Sequence, residues 1–161
     1  MKIIEHRWSS IEYNHESELE EIYRQLILNA KNKTAESYSP YSHFAVGASV
    51  LLDQGSYVSG ANQENASYPL CRCAESVALS AASSLYPDAK IIAMGIAVFH
   101  NEKFTADPVS PCGACRQIIR EQENRYGHDI ALYLYGSTKI TKIDTVKDIL
   151  PLSFGGKSLV K

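Results

Sequence analysis

Phe44-Ala45-Val46-Gly47-Ala48-Ser49-Val50-Leu51-Leu52 runs without a charge and with a single hydroxyl. A strand with one wet face would alternate apolar and polar residues, so this run reads as a β-strand buried on both sides. Asp53-Gln54-Gly55 follows as a turn, and Ser56 to Gln63 reads as the hairpin partner. Outward from that hairpin, Ile91 to His100 is a second buried-strand run, and Ile130–Tyr135 and Lys139–Thr145 read as further strands. Helical segments alternate with them. Cys73 to Leu85 is rich in alanine and stopped by Pro87, and a second helix runs to Tyr126 with Pro111 at its first position. Upstream, Leu19, Ile22, Tyr23, Leu26 and Ala30 recur at helical spacing and predict a helix over Ser17–Lys33. Glu18, Glu20 and Glu21 in its first turn and Lys31 and Lys33 in its last match the helix dipole. Ser37 to His43, hydroxyl-rich and stiffened by Pro40, is a loop. The tail from Val146 carries a short helix and then irregular chain. This order predicts an α/β fold, a mixed sheet covered by helices on both sides.

The 161 residues fit one domain, 1–161, in which residues 1–16 form an N-terminal extension with a short strand over Lys2–Trp8. Hydrophobic residues make up 45% and charged residues 21%, ordinary for a globular protein. A formal charge of −2 offers no basic footprint, which argues against nucleic acid and anionic membranes as partners. No apolar run approaches the length of a bilayer span, and charge interrupts Met1–Trp8 too early for a signal peptide. A cytoplasmic location is therefore expected, where cysteines bind metals or catalyse rather than pair as disulfides.

All four cysteines fall in two clusters, Cys71-Arg72-Cys73-Ala74-Glu75 and Pro111-Cys112-Gly113-Ala114-Cys115-Arg116-Gln117. Each lies where a loop enters a helix, and the free N–H groups there favour thiolates. Cys112 and Cys115 share a helical face and can grip one metal, and Cys73 can supply a third ligand. Three ligands leave a tetrahedral zinc with an open position for water, and Glu75 two residues beyond Cys73 is placed to move protons. Two other readings stand beside this one: a closed four-cysteine structural zinc that includes Cys71, and a redox dithiol at Cys112 and Cys115. Cys71 by itself reads as a small buried residue. None of the five histidines takes a ligand position, and His43 and His100 read as structural or exposed.

Cys-Ala-Glu followed by Pro-Cys-Gly-Ala-Cys resembles the zinc deaminase signature, which couples a zinc-activated water to a proton-carrying glutamate. Ser39-Pro-Tyr-Ser-His-Phe-Ala-Val-Gly-Ala48, Gly60-Ala-Asn-Gln-Glu-Asn-Ala-Ser-Tyr-Pro69 and Val109-Ser-Pro-Cys-Gly-Ala-Cys-Arg-Gln117 are similar to the cytidine deaminase family, as is Leu150-Pro-Leu-Ser-Phe154. The resemblance runs from about Ala30 to Phe154. It implies a three-layer α/β/α cytidine deaminase-like fold with a mixed sheet of about five strands. It implies one Zn2+ per subunit on Cys73, Cys112 and Cys115, with Glu75 as general acid/base. Asn62 and Glu64 would bind the ribose hydroxyls, Phe44 would pack by the nucleoside, and backbone groups of Ala74 and Ser110 would meet the base and the leaving amine. Phe154 would stack on a base bound in a neighbouring subunit. The implied protein is a homotetramer with shared active sites, acting on cytidine and 2′-deoxycytidine in pyrimidine salvage.

One position departs from the pattern. The family reads Cys-Ala-Glu-Arg, and Ser76 follows Glu75 here. Three thiolates and Zn2+ leave one net negative charge, which the family's arginine offsets. Here that task would fall to the helix N-termini, Arg116 or Arg72. The departure keeps two alternatives open: a deaminase of a modified cytosine nucleoside, and a non-catalytic zinc-stabilised binding module.

Overall fold

In the computed structural model, which describes residues 1–156 and Leu159, the uncharged run becomes a central strand. The elements in chain order are β1 (Ile11–Tyr13), α1 (Glu21–Lys33), β2 (Ala45–Leu52), β3 (Tyr57–Ala61), α2 (Ala74–Leu85), β4 (Ile91–His100), β5 (Lys103–Phe104), α3 (Gly113–Tyr126), β6 (Ala131–Tyr135) and β7 (Ile140–Ile143). Strand order across the sheet is β1-β7-β6-β4-β2-β3, with β5 paired to β4 off that path. β2 pairs antiparallel with β3 on one side and with β4 on the other. β6 lies parallel to β4, so the chain crosses over through α3 between them. The sheet is mixed and covered on both faces, the three-layer arrangement expected.

It has seven strands rather than about five. The two additions are short and owe their existence to pairing rather than to pattern. β1 takes its register from β7, Ile11 opposite Lys142 and Tyr13 opposite Ile140. The expected strand over Lys2–Trp8 does not form; those residues are exposed, and the ladder is displaced to Ile11–Tyr13. β5 is the return leg of a turn at Asn101 and Glu102, whose φ values of 52° and 62° match the twist that tight hairpins need.

Two helix starts also differ. α1 begins at Glu21, not Ser17, because Glu16–Glu18 form a separate 3-10 turn and Leu19 then turns extended (φ −87°, ψ 151°) to bury its side chain. Only Glu21 of the three glutamates therefore lies in its first turn. Ile22 points outward, and Ile27 takes its place on the buried face with Leu26 and Ala30. α3 begins at Gly113, with Cys112 as its N-cap and Pro111 just outside; the Cys112 sulfur accepts the backbone N–H of Cys115 at 3.4 Å.

Leu26 and Ile27 of α1 pack against Leu51, Ala93, Tyr133 and Ile140 on one face of the sheet. Ala78 and Leu79 of α2 and Ile119 of α3 pack against Ala48, Val50, Ile96 and Leu134 on the other. Leu26, Leu79 and Ile119 are fully buried, each contributing about 1.5–3 kcal/mol by area. Close approach of the helices depends on two glycines of the β2–β3 hairpin. A Cβ at Gly47 would lie 2.0 Å from the Ala30 carbonyl oxygen of α1, and one at Gly60 would lie 2.6 Å from the Ala78 nitrogen of α2.

Gly47→Ala is thus expected to push α1 off the sheet and to lower unfolding stability by about 1–3 kcal/mol in a denaturant titration. Gly113→Ala meets open space and is expected to stay within about 0.5 kcal/mol.

Candidate active site

A cavity of about 640 Å3 opens where the N-termini of α2 and α3 meet the hairpin and the carboxyl end of β4. Cys73 is the N-cap of α2, Cys112 the N-cap of α3, and Cys115 stands in the first turn of α3, buried. Their three sulfur atoms all lie within 4.8 Å of one another, with Cys73 Sγ 4.0 Å from Cys112 Sγ. Tetrahedral zinc with thiolates at its usual bond length spaces them about 3.8 Å apart, so the donor set fits that ion in both chemistry and spacing. Among the described residues these three form the metal-ligand group. Cys71 stands outside it, its sulfur 3.2 Å from the Asn65 amide, which donates to it. All four cysteines are free. The hydrogen bond from Cys115 holds the Cys73 thiol down to about 6, and the same contact, with burial, pushes Cys115 up. The Cys73 and Cys115 sulfurs thus compete for a proton, and a cation between them would relieve that competition.

Glu75 sits one residue into α2, 5% exposed, and lines the same cavity. Burial pushes its carboxyl up from the ordinary range. Ala74 and Ser110 also line the wall, as does Phe44. Glu64 lies at the rim with its carboxylate gripped by the loop opposite. It accepts the Ser42 hydroxyl and the amides of Tyr41 (2.9 Å) and Ser42 (3.3 Å). Those donors, the hydroxyl first, hold it below the usual carboxylate range. Asn62 is more committed. Its Oδ1 accepts from the Val46 amide (2.8 Å) and the Ser37 hydroxyl, and its Nδ2 donates to the Phe44 carbonyl (2.9 Å). One Nδ2–H remains for a ligand.

Phe154 is not brought to the cavity of its own chain. It is exposed, and its carbonyl accepts from Gln117 Nε2 at 3.1 Å. Arg116 is turned away from the sulfurs: Nε donates to the Pro111 carbonyl (2.9 Å) and Nη1 to the Ile149 carbonyl (2.8 Å). Arg72 lines the cavity and is the cation facing it. His100, expected to be structural or exposed, also lines the cavity and tilts against Phe44 with ring centroids 5.4 Å apart. The signal that points to it is position: it ends β4, and ligands in α/β sheets gather at the carboxyl ends of strands.

The profile of the cytidine and deoxycytidylate deaminase zinc-binding region matches residues 20–126. The cytidine deaminase of Halalkalibacterium halodurans is 38% identical over 137 residues, covering 84% of this chain and 97% of its own. That of Sporosarcina psychrophila is 35% identical over 138 residues, 84% of this chain and 93% of its own. The crystal structure of cytidine deaminase from Burkholderia pseudomallei superposes with a TM-score of 0.69 at 32% identity, over 82% of this chain and 98% of the other.

Metal analysis of the purified protein is expected to find about one zinc per chain, on the three clustered sulfurs. Cys71→Ser should keep it through desalting, whereas Cys115→Ser should lose most of it.

Proposed function

The chain belongs to the family of cytidine and deoxycytidylate deaminases, a zinc-dependent hydrolase that converts cytidine to uridine and ammonia, and we propose how its own residues do so. The observation that carries the proposal is a cluster of three thiols, two of which line a cavity together with the buried Glu75, Glu64 and Asn62. Zinc on Cys73, Cys112 and Cys115 supplies the Lewis acidity that makes water acidic and nucleophilic near neutral pH. Glu75 takes a proton from the water as its oxygen adds to C4 of the cytosine ring, and delivers that proton to ring N3. It then carries the second water proton to the exocyclic amine, which leaves as ammonia as the C4 carbonyl forms. The carboxylate ends as it began, so Glu75 is consumed in no step. Glu75 is 5% exposed, which keeps the transferred protons between carboxylate and substrate.

Glu64 and Asn62 hold the sugar. The Glu64 carboxylate is ionised and still has lone pairs beyond those used by Tyr41 and Ser42, so it accepts from a hydroxyl. Asn62 donates its remaining N–H to the neighbouring oxygen. Backbone groups of Ala74 and Ser110 meet the base and the leaving amine, and Phe44 packs beside the nucleoside. 2′-Deoxycytidine is a second substrate, and the pathway served is pyrimidine salvage in the cytoplasm, where four free cysteines keep their thiols. Among the described residues no helix is long and apolar enough to cross a membrane.

The working form is a homotetramer with shared active sites. Tyr41 and Tyr68, edge to face at 6.1 Å, stand exposed beside the cavity, an aromatic rim that a second copy would cover. Phe154, exposed and away from its own cavity, would stack on a base bound in the neighbouring subunit. Light scattering should give four times the chain mass of 17.8 kDa, and a fully active monomer would contradict this assembly.

Glu75→Gln keeps shape and removes the proton carrier. Turnover of cytidine, followed by its ultraviolet absorbance, is expected to fall about a thousandfold or more with zinc content unchanged.

A further inference from the structure

Arg116 follows Cys115 in sequence, yet its guanidinium serves another part of the site. The Cys115 amide donates to Cys112 Sγ at 3.4 Å, and the Arg116 amide donates to the Cys112 carbonyl at 2.9 Å. The ladder of α3 therefore leaves out the carbonyl of Pro111, a buried residue immediately before Cys112. Arg116 Nε donates to that carbonyl at 2.9 Å, and Nη1 of the same guanidinium donates to the Ile149 carbonyl at 2.8 Å. Ile149 ends the 3-10 turn Val146–Ile149, where carbonyls run out of ladder donors. One arginine thus joins two carbonyls that no helix uses.

The far anchor is firm. At the start of the same turn the Val146 amide donates to Glu123 Oε1 at 3.1 Å, and the Thr145 hydroxyl donates to that oxygen at 2.9 Å. Arg116 and Glu123 stand about two turns apart on one face of α3, so the turn is fastened to the helix at both ends. Cys112 needs such a hold. Cys115 is buried within the first turn of α3, whereas Cys112 is exposed at the end of the irregular stretch 105–111, with its sulfur 4.0 Å from Cys73 Sγ. We propose that Arg116 is a positioning residue of the metal centre: by tying the Pro111 carbonyl to the Ile149 carbonyl it fixes Cys112 where the three sulfurs share one zinc. The planar guanidinium keeps its two donors in a fixed fork, which a lysine ammonium does not offer. This rests on the zinc reading of the three thiols.

The test follows zinc leaving the loaded protein for an excess of the chromogenic chelator 4-(2-pyridylazo)resorcinol. Arg116→Lys and Arg116→Gln are expected to release zinc about tenfold faster than the native protein. Gln117→Ala is the control. It frees the Phe154 carbonyl, which Gln117 Nε2 holds at 3.1 Å, leaves Pro111 tied, and should release zinc at the native rate. With Co2+ in place of zinc, the visible bands report ligand geometry; they should shift in Arg116→Lys and superimpose on the native bands in Gln117→Ala. Native release and native bands in Arg116→Lys, even beside a lower urea midpoint, would make the arginine merely structural and overturn the assignment. Equal acceleration in Gln117→Ala would do the same. A further readout needs no variant: the Nε–H of Arg116 is expected to exchange with solvent at least about tenfold more slowly than that of the exposed Arg7, and equal rates would count against the tie. If the native protein holds no zinc, the metal reading fails and takes this inference with it. A zinc-bound protein indifferent to Arg116→Lys defeats the inference alone.

Discussion

Two helix N-termini held face to face make the site, with Cys73 Sγ and Cys112 Sγ 4.0 Å apart although the residues are 39 positions apart in sequence. Nothing local to either cluster enforces that distance. α2 is seated on the hairpin through Gly60, where any side chain would strike its backbone. α3 is anchored at its far end by Glu123, which is 2% exposed. One oxygen of that carboxylate accepts from the Ile130 and Val146 amides (3.1 Å each) and from the Thr145 hydroxyl (2.9 Å). Arg120 stands 3.6 Å from its other oxygen. A single buried carboxylate thereby fastens the end of α3 to the start of β6 and to the chain leaving β7. A carboxylate committed in this way is expensive to disturb, because its removal would leave three donors unpaired.

The electrostatics of the cavity follow from that arrangement. Cys73, Cys112 and two carboxylates, Glu75 and Glu64, line one cavity, with the buried Cys115 sulfur close behind the first two. Both helices present their positive ends to the cavity, which favours negative charge there. Arg116 does not answer the thiolates with hydrogen bonds of its own; it ties the Pro111 carbonyl beside the ligand to Ile149 in the tail. Serine at position 76 brings no cation to the site, and Arg72 is the arginine that lines the cavity.

Strands that are buried on both faces were legible because they can be nothing else. β4 begins and ends where the uncharged run Ile91–His100 does, and the β2–β3 hairpin lies within its expected bounds. Elements that depend on a partner were not legible. β1 has only three residues and exists because β7 offers an edge, so no pattern inside Ile11–Tyr13 announces it. The start of α3 moved past Pro111 because a sulfur, rather than a hydroxyl or carboxylate, caps the helix. Ile27 rather than Ile22 is buried on α1, since the sheet reads the angle of α1 and not its composition.

Residue chemistry and short-range spacing were settled by the sequence alone: thiols three apart on one helical face, a carboxylate two beyond another thiol, and an amide and carboxylate in Asn62 and Glu64. These follow from the fixed geometry of a helix turn or an extended chain, which needs no knowledge of the remainder. Tertiary structure decided which cysteine of the four stands apart, and that Asn62 spends three hydrogen bonds on its own loop. It also decided that Phe154 lies away from its own cavity and that His100 lies within it. Each of these turns on distances between segments far apart in the chain. Such distances are set by how closely helices can approach a sheet, and here by the glycines that permit the approach.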